Sequence, residues 1–137
     1  MSALAVVDAG PLYAAVDGDD TDHARSRAAL ERADLRLVIP AMVVAEVTYT
    51  VGRRLGATAE SAFLRGLAAL DIEGPMPEDL TRMAALVSEY ADFPLGGTDA
   101  SVVALAERLG ATTVITLDRR HFAAVVPRHC DMFELLP

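Results

Sequence analysis

The chain has 137 residues, of which 53% are hydrophobic, and its formal net charge is −8. The length suits a single domain over residues 1–137, and the apolar content excludes intrinsic disorder. The acidic balance argues against binding of nucleic acid or of an anionic membrane through a broad basic face.

The first predicted element is a strand over Leu4–Val7, an uninterrupted apolar run that ends at Asp8. Such a run is typical of a strand buried on both faces, as in a parallel sheet covered by helices. The helices that follow are predicted at Pro11–Val16, Asp22–Ala33, Met42–Leu55, Thr58–Ala69 (capped by Thr58), Pro77–Tyr90 and Thr98–Leu109. The remaining strands are predicted at Leu35–Ile39, Leu70–Glu73, Thr112–Leu117 and Asp131–Leu135.

Strands and helices alternate along the chain, and this alternation favours an α/β domain. We predict a three-layer α/β/α sandwich with a central, mostly parallel sheet. Strand order stays open at this point.

The residue types that the chain lacks exclude some classes of binding site and catalysis. The chain contains no Lys, Asn, Gln or Trp, which excludes phosphate binding by a P-loop and Schiff-base catalysis, because both need a lysine. A single cysteine, Cys130, allows no internal disulfide. Residues 1–7 lack the basic start of a signal peptide, and no apolar run approaches the roughly 20 residues of a membrane span. We therefore expect a cytoplasmic protein.

Four of the 20 acidic residues lie where a solvated charge is not expected. Asp8 and Asp118 each close a predicted buried strand. Asp99 falls on the inward stripe of its helix, in line with Val102 and Val103. Glu46 lies on a helix that is apolar nearly all round, so its face is expected to be largely buried.

Each of the four also has a purely structural explanation. Asp8 is suited to cap the helix that begins near Pro11. Glu46 can pair with Arg53 or Arg54. Asp99 can interact with the helix dipole, and Asp118 can start a turn.

Taken together, the four acids favour a metal site. Two strand ends and one helix start share one edge of a parallel sheet, where such folds bind ligands. Crowded carboxylates repel one another unless cations neutralise them, and oxygen ligands suit Mg²⁺ or Mn²⁺. The pattern predicts a metal site without His or Cys ligands, of the kind that attacks phosphodiesters.

The segments around these acids resemble the PIN-domain ribonucleases and, within them, the VapC toxins of type II toxin–antitoxin modules. The resemblance is carried, in family order, by VDAGPL at 7–12, PAMVVAEV at 40–47, GTDASVVALA at 97–106 and ITLDRRHF at 115–122. It covers essentially the whole chain.

The resemblance implies the roles of individual residues. Asp8, Glu46, Asp99 and Asp118 would form the catalytic acidic quartet, with Asp8, Asp99 and Asp118 binding Mg²⁺ or Mn²⁺. Thr116 matches a hydroxyl often found beside the last acid. Asp92 matches an acidic position expected to act behind the metal ligands. The residues that follow Asp118 are candidates for contact with RNA phosphates, although a solvated turn is equally compatible with them: Arg119, Arg120 and His121.

The resemblance also implies partners. A VapC-like protein would form a homodimer and would be inhibited by a small VapB-like antitoxin that inserts a basic side chain into the acidic pocket. An arginine would suit this role, because it binds carboxylates bidentately. The apolar helices at Leu12–Val16 and Met42–Leu55 are candidate docking surfaces, and no membrane partner is expected.

The expected activity is metal-dependent cleavage of a structured cellular RNA, either tRNA or rRNA, to inhibit translation. One alternative is a catalytically silent binding module with the same fold. Another is a haloacid-dehalogenase-type phosphatase or a phosphoacceptor receiver domain. Those two classes normally need a lysine, which this chain lacks.

Overall fold

A computed structural model describes residues 2–137 of the protein; the predicted domain limits include Met1, which lies outside them. Within this range there are five strands and seven helices, and strands alternate with helical segments as predicted. The strands are β1 (Ala3–Val7), β2 (Leu35–Pro40), β3 (Asp71–Glu73), β4 (Thr113–Ile115) and β5 (Glu134–Leu136). The helices are α1 (Ala9–Val16), α2 (His23–Leu30), α3 (Ala41–Leu55), α4 (Ala57–Leu67), α5 (Pro77–Glu89), α6 (Gly97–Leu109) and α7 (Arg119–Ala124).

The strands form one sheet in the order β3-β2-β1-β4-β5, and each neighbouring pair is parallel. Val6 in the central strand pairs in register with Val38 on one side and Val114 on the other. Ala5, Val6 and Val7 are fully buried, as expected for a strand covered on both faces. The α/β sandwich with a parallel sheet is therefore confirmed.

The sheet order reverses direction between β1 and β4. The chain moves outward from β1 through β2 to β3, and then crosses back to add β4 and β5 on the other side. The carboxyl ends of the strands beside such a reversal form the crevice in which open α/β sheets bind ligands. Asp8 follows β1, and residues 116–118 follow β4.

Helix α6 is the most deeply buried helix among the described residues. Every residue from Ala100 to Ala106 is buried, and the helix packs against β1, β2, β4 and α5. It ends at Gly110, whose φ of 70° lies in the left-handed region that glycine adopts without strain. The N-terminus of α6, which carries Asp99, is held at the edge of the sheet by this packing.

Several predicted boundaries were wrong. Helix α4 begins at Ala57 rather than behind a Thr58 cap, because Gly56, with φ 92°, ends α3 and starts α4. The last strand is Glu134–Leu136 instead of Asp131–Leu135, since residues 131 and 132 form a bend. Helix α7 was not predicted. Its six residues are too few to show a helical period.

One predicted buried face also differs. On α3 the buried stripe is Val43, Val47 and Val51. Glu46 is therefore exposed, and its predicted burial was wrong, because a nearly all-apolar helix still presents only one stripe to the core.

None of the helices described over residues 2–137 is long and apolar enough to cross a bilayer.

Candidate active site

The site is built around a buried hydroxyl that joins two strand ends. Thr116, fully buried, donates from Oγ1 to Asp8 Oδ2 at 2.8 Å. The same oxygen accepts the backbone N–H of Asp118 at 2.9 Å. Asp8 is itself anchored, because its backbone N–H donates to Ile115 O at 2.9 Å. One threonine thus ties the ends of β1 and β4 together.

Asp8 is only 6% exposed. Burial raises the pKa of its carboxyl to about 6, and the negative charges of Asp99 and Asp118 add to this rise. The hydrogen bonds from Thr116 and from the backbone of Ala9 act in the opposite direction. Although Asp8 immediately precedes α1, its side chain makes no capping hydrogen bond to that helix beyond this contact with Ala9. Its carboxylate faces the other acids instead.

Asp118 is held by the short helix that it caps. Asp118 Oδ1 accepts the backbone N–H of His121 at 3.1 Å, and Asp118 Oδ2 lies 2.5 Å from His121 Nδ1. Asp118 thus caps a short helix, where the structural explanation from the sequence was the start of a turn. This capping role coexists with the site, because helix α7 orients the carboxylate and brings an imidazole beside it.

Asp99 is the third residue of α6 and is half-buried. Burial raises the pKa of its carboxyl first, and the charges of Asp118 and Glu46 raise it further. A backbone hydrogen bond from Gly96 and the nearby His121 lower it. The bond from Gly96 ties the carboxylate back to the start of the helix, as a capping box does.

Glu46 reaches the site from α3. It is exposed, yet partial loss of solvent raises the pKa of its carboxyl, and the charge of Asp8 adds to this rise. A hydrogen bond with the Thr98 side chain lowers it. Among the ion pairs described for residues 2–137, none joins Glu46 to Arg53 or Arg54.

The ligand-type atoms lie closest together at Asp99, Asp118 and His121. Within residues 2–137 this is the group that offers one ligand atom from each of three residues, all within 4.8 Å of one another. The sequence prediction left histidine out of the ligand set, whereas α7 brings the His121 ring into this group. Asp8 and Glu46 interact electrostatically with the acids around them. Beyond the effect of burial, the charges of Asp99 and Asp118 raise the pKa of Asp8, and the charge of Asp8 raises the pKa of Glu46.

This donor set fits a divalent cation. Burial and the charges of Asp99 and Asp118 raise the pKa of Asp8, and a positive ion among these carboxylates would offset that repulsion. Hard oxygen donors are those preferred by Mg²⁺ and Mn²⁺. An imidazole beside the carboxylates is also compatible with first-row divalent metals.

The other predicted residues lie around this centre. Asp92 is exposed on the loop before α6 and is not in the three-residue group. Arg119 hydrogen-bonds the carbonyl oxygens of Leu135 and Pro137, so it holds the end of the chain. Arg120 is exposed and lies over the ring of Phe93, a residue that the sequence prediction did not single out. An aromatic side chain directly after Asp92, in the loop before α6, was the available signal for Phe93.

Residues 5–126 of the chain match the PIN domain family. The protein belongs to the PIN-domain family. A curated relative of this PIN domain, "Ribonuclease VapC26" from Mycobacterium tuberculosis (strain ATCC 25618 / H37Rv), is 36% identical over 134 residues. That alignment covers 96% of this chain and 99% of the relative, so the likeness extends over both proteins.

Solved structures share the fold of this PIN domain at low sequence identity. VapC20 from Mycobacterium tuberculosis, described as a sarcin-ricin loop cleaving toxin, gives a TM-score of 0.73 at 16% identity, covering 80% of this chain and 86% of that one. VapBC2 from Rickettsia felis, solved with a DNA fragment from its promoter, also gives 0.73 at 16% identity, covering 98% and 99%. These likenesses confirm the predicted α/β architecture.

Proposed function

We propose that residues 1–137 form a single cytoplasmic nuclease domain that acts as a metal-dependent endoribonuclease, the toxin of a type II toxin–antitoxin module. The observation that carries this proposal is the convergence of Asp8, Asp99 and Asp118 at the switch point of a chain 36% identical to a ribonuclease. The substrate class that follows is a structured cellular RNA, tRNA or rRNA, whose cleavage would inhibit translation.

In this proposal Mg²⁺ or Mn²⁺ is the cofactor. Asp8, Asp99 and Asp118 would hold it, Glu46 would complete the acidic quartet, and Asp92 would act behind these ligands. A bound divalent ion lowers the pKa of water and stabilises charge on a phosphoryl oxygen. Thr116 keeps the Asp8 carboxylate oriented, and His121 does the same for Asp118. One of the carboxylates would accept a proton from the attacking water.

A cleavage assay with and without chelator tests the proposal. We expect RNA cleavage in Mg²⁺ or Mn²⁺, no cleavage in excess EDTA, and full recovery when Mg²⁺ is added back in excess. Recovery is the control that excludes damage by the chelator. Sequencing of RNA ends after induction in cells identifies the target.

Two other outcomes would contradict this function. Undiminished cleavage in EDTA would remove the metal from the mechanism. RNA binding without cleavage at stoichiometric protein would favour the alternative, a catalytically silent PIN-fold module. A phosphatase or phosphoacceptor remains the weaker alternative, since the chain has no lysine.

We further propose a homodimer and a small VapB-like antitoxin that inserts a basic side chain among the acids. Related folds have been solved as VapBC assemblies from Rickettsia felis and Salmonella typhimurium. An apolar groove of about 490 Å³ between α1 and α4, lined by residues that include Leu12, Val16, Phe63 and Leu70, supports a docking site for it. Helix α4 supplies the second wall of this groove, and α3, the other predicted docking surface, does not line it.

Val16→Asp tests the antitoxin proposal. Val16 is 40% exposed, so a charge there should leave folding and cleavage intact while weakening apolar docking. We expect a small protein to co-purify with the tagged parent and to be lost from Val16→Asp. Val126→Asp, at a position 65% exposed and outside the groove, is the matched control. Recovery of no small partner from the native host, or equal recovery with both variants, would contradict the proposal.

A further inference from the structure

Two arginines near the acidic site are held by aromatic rings. The guanidinium carbon of Arg54, on α3, lies 5.2 Å from the ring centroid of Tyr13, and that of Arg120, on α7, lies 5.2 Å from the centroid of Phe93. Both distances are those of cation–π contacts. Both arginines are exposed, so each presents an oriented positive charge to solvent.

Arg54 borders the Glu46 side of the site. It lines a groove of about 280 Å³ together with Gly10, Glu46, Thr50 and Leu117. Gly10 lies just beyond Asp8, and Leu117 lies between Thr116 and Asp118. The groove therefore leads from the arginine to the acidic residues.

Arg120 borders the His121 side. The Phe93 ring beneath it packs edge-to-face against His121, with centroids 5.1 Å apart and planes at 74°. His121 in turn contacts Asp118 through Nδ1. A continuous set of contacts thus connects Arg120 to the acidic cluster.

Neither arginine forms an ion pair with a carboxylate of the described residues. Among the ion pairs within 4.0 Å over residues 2–137, the arginines involved are Arg25, Arg27, Arg32, Arg36, Arg82 and Arg108. On the Arg54 side, Asp17 accepts the hydroxyl of Tyr13 at 2.6 Å, a bond that lowers the pKa of Asp17, and the charge of Arg54 lowers this pKa further without an ion pair within 4.0 Å. Both guanidinium groups are therefore available to an external anion.

We propose that Arg54 and Arg120 bind RNA phosphates on two sides of the scissile bond, so that the strand runs from the Arg54 groove across the acids to Phe93. This inference rests on the proposed ribonuclease function. A chain of net charge −8 repels RNA as a whole, and phosphate contacts must come from local cations. Ring stacking orients each guanidinium in advance, so less side-chain entropy is lost on binding.

Steady-state cleavage by Arg54→Ala and Arg120→Ala tests the proposal. We expect KM for RNA to rise roughly tenfold in each variant with kcat little changed, because a contact with a charged group is lost away from the reacting atoms. The magnitude of the slope of log KM against log salt should fall by about 0.7 per arginine for a single strand. Phe93→Leu, which removes the ring and keeps Arg120, should raise KM by a smaller factor.

Arg53→Ala is the matched control. Arg53 is the neighbour of Arg54 on α3, is exposed, and hydrogen-bonds Tyr49 rather than lining the groove. Its KM should stay at the parental value, which separates a local contact from the overall change in charge. Parental KM in both Arg54→Ala and Arg120→Ala, or an equal rise in the control, would overturn the proposal.

Direct binding separates this inference from the proposed function. If the parent does not cleave RNA, the ribonuclease proposal fails, and anisotropy of a fluorescein-labelled RNA oligonucleotide then tests the arginines. Weaker binding by both variants and not by Arg53→Ala would support the two contacts. Equal binding by parent and variants would contradict them.

Discussion

Asp99→Asn is expected to reduce RNA cleavage by about 100-fold or more while leaving the metal-free protein at least as stable as the parent. The loss of activity follows because the neutral amide removes a charged ligand from the Asp99, Asp118 and His121 group. Stability should be kept, because the raised pKa of Asp99 reflects burial and the repulsion of Asp118, which the amide relieves. Cleavage assays and melting curves in EDTA measure the two effects.

Added Mg²⁺ should distinguish the same two proteins. The parent should gain stability with Mg²⁺ concentration, by about 2.7 kcal/mol at 100 times the dissociation constant, and the variant much less. Asp99→Ala should behave like Asp99→Asn in cleavage but should also lose the bond to the Gly96 backbone, at a cost of roughly 0.5–2 kcal/mol. Asp19→Asn, an exposed turn position, is the control with the same charge change. A fully active Asp99→Asn protein would overturn the site.

Asp8→Asn should stabilise the metal-free protein at neutral pH by up to about 3 kcal/mol. Burial raises the pKa of Asp8 from 3.8 to about 6, so ionisation is disfavoured in the folded state. A shift of roughly two units corresponds to this energy at 1.36 kcal/mol per unit. The penalty is absent below about pH 4, grows as the pH rises through 6, and is then complete. The amide oxygen can still accept the Thr116 hydroxyl.

Urea unfolding of parent and Asp8→Asn in EDTA, at intervals from pH 4 to pH 8, measures this difference. The two profiles should meet near pH 4 and separate as the pH rises, with the parent falling relative to the variant. Because the other acids titrate in both proteins, the difference between the profiles reports the ionisation of Asp8 together with its effect on the pKa of Glu46. Parallel profiles would show that the pKa of the Asp8 carboxyl is not raised in the folded protein. Saturating Mg²⁺ should make the parent the more stable of the two proteins, because only the parent binds the ion tightly.

The alternation of elements and the positions of the acids could be read from the chain. The run that forms β1 has no polar residue until Asp8, and a segment of this kind is stable only when it is covered on both faces. Asp8 and Asp118 follow strands, and Asp99 begins a helix, so a parallel sheet must bring them to one edge. Local hydrophobic pattern and connectivity were sufficient for that part of the site.

Tertiary packing decided which groups complete the site. His121 joins Asp99 and Asp118 because α7, too short to show a helical period, folds its third residue back against its cap. Glu46 is exposed because packing selected the Val43, Val47 and Val51 stripe of α3. The aromatic rings that contact the two arginines belong to residues far away in the sequence. Tyr13 is 41 positions from Arg54, and Phe93 is 27 positions from Arg120. Contacts at such separations depend on strand order and helix packing, which no local pattern encodes.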